Sequence, residues 1–140
     1  MPEFILDTGD SEEFAALDEF TQGYIEAMFF TETGTGDDEE LEHATVDEFA
    51  PGEIGKIQED CRAFQQANEE LIGDAFYAGL DNGAAYEPIQ AGRDYWLSRN
   101  GHGVGFWDRG LGEVGDKLHA ACKYSERYLY RGDDGKLYLG

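Results

Sequence analysis

Apolar positions in the first 80 residues recur at the three- and four-residue spacing that is typical of helices. A first helix is predicted after Asp10 or Ser11, either of which can cap its start. Its apolar stripe consists of Phe14, Leu17, Tyr24, Ile25, Met28 and Phe29. The glycines and acids of residues 31–43 then predict an exposed acidic loop.

A second helical stripe follows a capping box at Thr45 and Glu48 and a proline, Pro51, that suits the first turn of a helix. The stripe consists of Ile54, Ile57, Cys61, Phe64, Leu71, Ile72 and Ala75. Gly79 and the turn-forming residues 81–83 predict its end.

The pattern changes in the second half, where aromatic and β-branched residues alternate with turn signals. Residues 94–99 predict a strand, Asn100-Gly101 a hairpin turn, and residues 104–107 the return strand. A short helix is predicted over 111–122, and residues 127–131 and 136–139 flank a second hairpin turn.

This order of elements predicts an α+β fold, with N-terminal helices packed on a small antiparallel sheet formed by C-terminal hairpins with one intervening helix. The length of 140 residues predicts a single domain over 1–140, with an acidic helical half (1–80) and a hairpin-helix-hairpin half (81–140). The residues expected to be largely buried are Phe14, Leu17, Ile25, Phe64, Leu71, Trp96, Phe106 and Leu118.

Charge divides the chain unevenly. Residues 1–70 hold 21 acids and two bases, a net charge of −19, whereas residues 71–140 hold 10 acids and eight bases, a net of −2. Direct binding to nucleic acid or to an anionic membrane surface is disfavoured, because both need a basic footprint. No apolar run approaches the length of a membrane span. Two cysteines and no visible signal peptide fit a reducing compartment, and we expect a cytoplasmic protein.

Candidate chemistry is sparse. Residues 110–115 match G-x-G-x-x-G, but no βαβ array follows, so the pattern favours a tight turn over a dinucleotide site. His102, beside Asp108 and Arg109, could serve as an acid-base group, although its glycine neighbours favour a bulged hairpin. Residues 37–42 lack the ligand pattern of a calcium loop, and no spacing suggests zinc. We therefore expect no cofactor, no metal and no enzymatic activity.

One run of the second half is distinctive. Residues 95–109 read Y-W-L-S-R-N-G-H-G-V-G-F-W-D-R, and residues 115–118 and 130–138 continue the pattern. This stretch resembles a family of small bacteriophage proteins of unassigned function. The resemblance implies a phage accessory protein and carries over no catalytic residues. The acidic half is similar in composition alone to phage DNA-mimic inhibitors.

These observations favour a phage-encoded DNA mimic that occupies the basic nucleic-acid-binding groove of a host defence protein, such as a restriction, nuclease or CRISPR complex, in the host cytoplasm. An interaction or assembly module without mimicry and a halophile-type acidic domain stay open as alternatives. The predicted contacts are Glu32, Asp37, Asp38, Glu39, Glu40, Glu42, Asp47, Glu48, Glu59, Asp60, Glu69 and Glu70.

Overall fold

Helices followed by a small antiparallel sheet make up the described part of the chain, which confirms the α+β class. A computed structural model describes residues 12–33, 46–78, 86–100, 105–106, 113–122 and 127–140. The elements are α1 (Glu12–Ala15), α2 (Glu19–Thr33), a 3-10 turn (Val46–Glu48), α3 (Glu53–Ala67), α4 (Glu69–Ala78), α5 (Pro88–Arg99), α6 (Glu113–Ala121), β1 (Leu129–Arg131) and β2 (Leu137–Leu139).

Two buried helices, α2 and α5, form the most extensively packed pair of elements. They approach closely because each contributes a glycine at the crossing. A Cβ atom at Gly23 would overlap the backbone carbonyl of Ile89, and one at Gly92 would overlap that of Phe20. The absence of side chains at these two positions therefore sets the distance between the helices.

The first predicted helix is interrupted. α1 ends at Ala15, and α2 begins after Asp18, whose carboxylate accepts hydrogen bonds from the backbone N–H (3.3 Å) and the hydroxyl (2.6 Å) of Thr21. A capping aspartate satisfies N–H groups that have no partner within the helix. α2 then extends to Thr33, so residues 31–33, expected in an exposed loop, are helical. Residues 34–43 of that predicted loop lie outside the described residues.

The second predicted helix is two helices that meet at Asn68. The Asn68 backbone N–H donates to the Phe64 carbonyl (3.0 Å), and its own carbonyl accepts the N–H of Ile72 (2.9 Å). Asn68 therefore ends α3 and starts α4, as suits a residue whose short polar side chain favours helix ends. Helix α3 begins at Glu53, so Pro51 lies in the turn before it rather than in its first turn.

The predicted strand at residues 94–99 is wrong, because these residues form the second half of α5. Every residue from Asp94 to Arg99 is buried, including the polar residues Asp94, Ser98 and Arg99, so the segment has no exposed face and its sequence lacks the usual amphipathic pattern of a helix. Asn100 caps the end of this helix instead of starting a hairpin, and Gly105 and Phe106 lie outside any strand. The rest of the predicted first hairpin lies outside the described residues.

The second predicted hairpin is confirmed as β1 and β2, which pair antiparallel with Tyr130 opposite Tyr138. A parallel bridge joins Phe49 to Leu137, and the Ala50 N–H donates to the Leu137 carbonyl (3.0 Å). Within the described residues, the sheet thus consists of this hairpin and a short bridge to the segment before α3.

The buried residues form a single cluster from Leu17 to Leu137. Six of the eight predicted core residues are buried, and the remaining two, Phe14 and Leu71, are partly buried against the cluster. Trp96 is fully buried; its indole N–H donates to the Thr31 hydroxyl (2.8 Å) and its ring meets Tyr24 edge-on at 5.3 Å. The apolar stripes meet as predicted, although α5 replaces the predicted strand.

Candidate functional site

The twelve predicted contact residues fall into three groups in the structure. Glu32 and Asp47 lie in described elements, but their side chains are not among the described parts. Asp37, Asp38, Glu39, Glu40 and Glu42 lie outside the described residues. The remaining predicted contacts have described side chains and are Glu48, Glu59, Asp60, Glu69 and Glu70.

Three of these five carboxylates form ion pairs with arginines of the same chain. Glu48 pairs with Arg131 of the hairpin (2.6 Å), and Glu59 pairs with Arg62 one helical turn away (2.6 Å). Asp60 pairs with Arg99, whose side chain is only 3% exposed. Glu48 and Asp60 therefore hold elements together, and their carboxylates are less available to a partner than the sequence pattern predicts.

Asp60 belongs to a polar cluster between α2, α3 and α5, which the sequence reasoning missed. Arg99 donates to the Tyr24 hydroxyl (2.9 Å), and the Tyr95 hydroxyl donates to Asp60 (3.1 Å). The guanidinium carbon of Arg99 also lies 4.5 Å from the centre of the Tyr95 ring. Arginine suits such a site because it combines stacking on aromatic rings with several fixed donors.

Burial controls the protonation of this cluster. It raises the pKa of Tyr24 and of Tyr95 above the ordinary tyrosine range, so both hydroxyls keep their protons. Burial likewise raises the pKa of the neighbouring Cys61 thiol well above its usual value. A protonated buried thiol is a poor nucleophile. The cluster therefore stabilises the packing of three helices rather than providing reactive groups.

Glu69 and Glu70 are exposed in the first turn of α4, where negative charge is favourable to the helix dipole. Asp74 follows Glu70 by one turn and is also exposed. On the adjoining helix α3, Gln65 donates to Asp18 (3.4 Å), which brings the start of α2 close to the end of α3. We define the acidic end as Asp18, Glu19, Glu69, Glu70 and Asp74, all of which are exposed.

Both bases of the first half are compensated locally. Lys56 pairs with Glu53 (3.2 Å), and Arg62 pairs with Glu59 (2.6 Å), each within α3. Neither base therefore offsets the charge of the acidic end. Exposed carboxylates of this kind can attract a cationic surface over several ångströms, but each pair alone contributes little.

The other sequence candidates give no assembled reactive site in the described part of the chain. His102 and the first three residues of the glycine pattern lie outside it, and residues 113–115 begin α6. Cys122 is buried, and burial raises the pKa of its thiol to about 12. Among the described side chains, no group of three or more histidines, cysteines or carboxylates is arranged to hold a metal ion.

An exposed aromatic surface on the hairpin is a second feature that sequence reasoning missed. Tyr128 and Tyr130 are 60% and 40% exposed, which makes them two of the three most exposed large apolar side chains described. Their ring centres are 5.6 Å apart, and the Tyr130 and Tyr138 rings stack at the same separation. We call these three residues the tyrosine face. The two-residue alternation in the predicted hairpin could have revealed it.

Comparison with protein-family models, with curated proteins and with solved structures found no match to this chain. None of the described helices has both the length and the apolar character needed to cross a bilayer.

Proposed function

We propose that this chain is a phage-encoded DNA mimic that inhibits a host defence protein by occupying its basic nucleic-acid-binding groove. The observation that carries the proposal is the division of charge, a net of −19 in residues 1–70 against −2 in residues 71–140. A charge needed only for solubility has no reason to be confined to one half.

The arrangement of the described side chains supports this proposal. The acidic end presents exposed carboxylates from α2 and α4, while Lys56 and Arg62 pair with acids of their own helix. A basic groove would therefore meet a surface of one sign. Such complementarity speeds association and excludes partners of like charge.

The amount of charge indicates partial rather than complete mimicry. Residues 31–74 hold 14 acids and two bases, a net of −12. The helical residues 53–74 span about 32 Å at 1.5 Å per residue if they are laid end to end. Duplex DNA presents about 19 charges over that length. Residues 53–74 have a net charge of only −4, and the six acids of residues 31–45 bring this to −10, about half of the duplex value.

The proposal is tested by competition with DNA. A target captured from bacterial lysate at moderate salt is purified and loaded with a fluorescent duplex, and this chain is then titrated in. We expect displacement of the duplex, with an affinity that falls as salt rises because screening weakens the attraction. If the protein and the duplex bind the target together without weakening each other, mimicry is wrong and the interaction-module alternative is favoured.

Two quadruple variants make the test specific. The first neutralises Asp37, Asp38, Glu39 and Glu40 as their amides, and we expect roughly 10-fold weaker binding because single exposed pairs contribute about 0–1 kcal/mol each. The control neutralises four exposed acids of the second half, namely Glu87, Glu113, Asp116 and Asp133. Equal weakening by both variants would show that total charge, not the acidic half, determines binding.

A further inference from the structure

Asn100 connects the end of α5 to the chain just before β1. Its side-chain oxygen accepts the backbone N–H of Arg127 (2.9 Å), and its side-chain nitrogen donates to the Trp96 carbonyl (3.0 Å). Its backbone N–H also donates to the Trp96 carbonyl (3.3 Å). Both polar atoms of the Asn100 amide are therefore held, one by the helix and the other by the first residue of the hairpin segment.

The residue after Asn100 is a glycine, and an Asn-Gly pair is chemically reactive. The backbone nitrogen of Gly101 can attack Cγ of Asn100. The new C–N bond forms, the bond from Cγ to Nδ2 breaks, and ammonia leaves with the proton of the Gly101 N–H. Water then adds to one of the two carbonyl carbons of the resulting succinimide ring and breaks the C–N bond there, which leaves aspartate or isoaspartate. Glycine favours the attack because it has no side chain to hinder its nitrogen.

The conformation of Asn100 opposes this reaction in the folded chain. Ring closure requires Cβ of Asn100 and the following backbone nitrogen to lie on the same side of the Cα–C bond. The ψ angle of Asn100 is 6°, so the following nitrogen is eclipsed with the nitrogen of Asn100 instead of with Cβ. Cγ is held as well, because both polar atoms of the amide are hydrogen-bonded. The reaction therefore requires Asn100 to leave its partners.

The attachment of the hairpin keeps one of these partners in place. The Leu137 carbonyl accepts the N–H of Ala50 (3.0 Å), and the Leu139 N–H donates to the Glu53 carboxylate (3.2 Å). These contacts fix the hairpin against the segment that leads into α3. Detachment of the hairpin would withdraw the N–H that the Asn100 side chain accepts, and helix ends that lose such partners open most readily.

We propose that Asn100 is a covalent modification site that reacts through Gly101 and water only when the hairpin detaches, so that its conversion to aspartate or isoaspartate records the detachment. The product also weakens reattachment. Either product lacks the side-chain N–H that donates to Trp96. Either product also adds a negative charge at the C-terminal end of α5, where the helix dipole disfavours it.

The test measures conversion of Asn100 in the native chain and in the same chain unfolded by urea, at the same mildly alkaline pH. Digestion at acidic pH, where the reaction is slow, followed by mass spectrometry gives the converted fraction. Asn82 also precedes a glycine and is the internal reference in urea. We expect similar rates at Asn82 and Asn100 in the unfolded chain. In the native chain Asn100 should react roughly 10-fold or more slowly, because only the detached population reacts.

Two core variants separate detachment of the hairpin from unfolding of the whole chain. Leu137→Ala removes a buried side chain of the hairpin, and the matched control Ile72→Ala removes a buried side chain of α4. Both variants lower the free energy of unfolding, but only the first weakens the attachment of the hairpin. We expect Leu137→Ala to accelerate conversion of native Asn100 by about 10-fold or more, and Ile72→Ala to leave it unchanged.

A milder pair of variants serves if Leu137→Ala does not fold. Glu48→Gln removes the ion pair with Arg131 of the hairpin (2.6 Å), whereas Glu59→Gln removes an ion pair of the same length with Arg62 inside α3. We expect conversion of Asn100 to be roughly 2- to 5-fold faster in the first variant, since a partly exposed ion pair contributes modestly. The second variant should react at the wild-type rate.

Three results would overturn the inference. Equal rates at Asn100 in the native and unfolded chains would show that its conformation does not oppose the reaction. Equal acceleration by Leu137→Ala and Ile72→Ala would show that the reaction follows unfolding of the whole chain. An unfolded Gly101→Ala variant that reacts at Asn100 as fast as the unfolded wild type would show that the amide is hydrolysed without ring closure.

Discussion

Replacing Gly92 with alanine should destabilise the protein, although alanine is the better helix former. The new Cβ would overlap the Phe20 carbonyl oxygen, and it would lie 2.7 Å from the Phe20 carbonyl carbon and 3.0 Å from the Tyr24 nitrogen. These are backbone atoms of α2, so relief requires movement of a whole helix rather than rotation of a side chain.

The magnitude follows from two opposing contributions. Ordinary van der Waals contact begins near 3.4 Å, and the Phe20 carbonyl oxygen would lie closer to the new Cβ than the carbonyl carbon at 2.7 Å, so α2 and α5 must separate by well over 0.7 Å at this point. Overpacking of a well-packed core typically costs about 1–3 kcal/mol and occasionally more. The higher helix propensity of alanine stabilises the variant by about 1 kcal/mol and partly offsets this cost. Because the overlap involves the backbone of both helices, we expect the overpacking cost to lie near the upper end of its range. The net loss in the free energy of unfolding is then about 2 kcal/mol.

Urea unfolding followed by circular dichroism measures this loss. With an m value of about 2 kcal/mol/M, the midpoint should fall by roughly 1 M. The matched control is Gly73→Ala in α4, where a Cβ would have no neighbour within 4 Å. This control should gain about 0.5–1 kcal/mol. If Gly92→Ala is as stable as the wild type, or shifts in the same direction as the control, the close crossing of α2 and α5 is wrong.

Three further predictions concern the core and its buried polar groups. Phe64→Ala should lower the free energy of unfolding by about 3–5 kcal/mol, because a buried ring is lost; a loss under 1 kcal/mol in urea unfolding would contradict this. Asp60→Asn should lower the free energy of unfolding by about 2–3 kcal/mol, which is less than for a fully buried pair because Asp60 is 30% exposed. An unchanged urea midpoint would show that the buried Arg99 does not depend on this carboxylate. The free energy of unfolding should fall as pH rises from about 9 to about 12, because burial raises the pKa of the Cys122 thiol and the unfolded chain therefore loses this proton first. Cys122→Ala should make the decline with pH shallower. An identical slope in the variant would show that Cys122 does not cause the decline.

The sequence predicted the fold to the extent that local patterns determine it. The hairpin at residues 127–139 followed from turn chemistry, and the burial of Phe64 and Trp96 followed from their apolar character. Helix α5 was missed because a helix buried on all sides has no amphipathic period, although Pro88 at its start and Asn100 at its end were available as signals.

The candidate site was less predictable, because its geometry depends on contacts between distant residues. Nothing local distinguishes Asp60, which pairs with Arg99 in α5, from Glu59, which pairs with Arg62 on its own helix. A count of charges along the sequence treats both Asp60 and Glu59 as surface acids. The polar cluster becomes visible only when α3 and α5 are brought together, and pairing across 39 residues leaves no periodic trace in the sequence.

The packing of α2 against α5 has a consequence for synthesis of the chain. Helix α2 is complete at Thr33, but its partner ends at Arg99. At about 5–20 residues per second, roughly 3–13 s separate the two events on the ribosome. During this interval Phe20, Tyr24 and the rest of the α2 surface lack their cover. The emerging half carries 21 acids and two bases, and mutual repulsion keeps nascent copies from associating through those uncovered aromatic side chains.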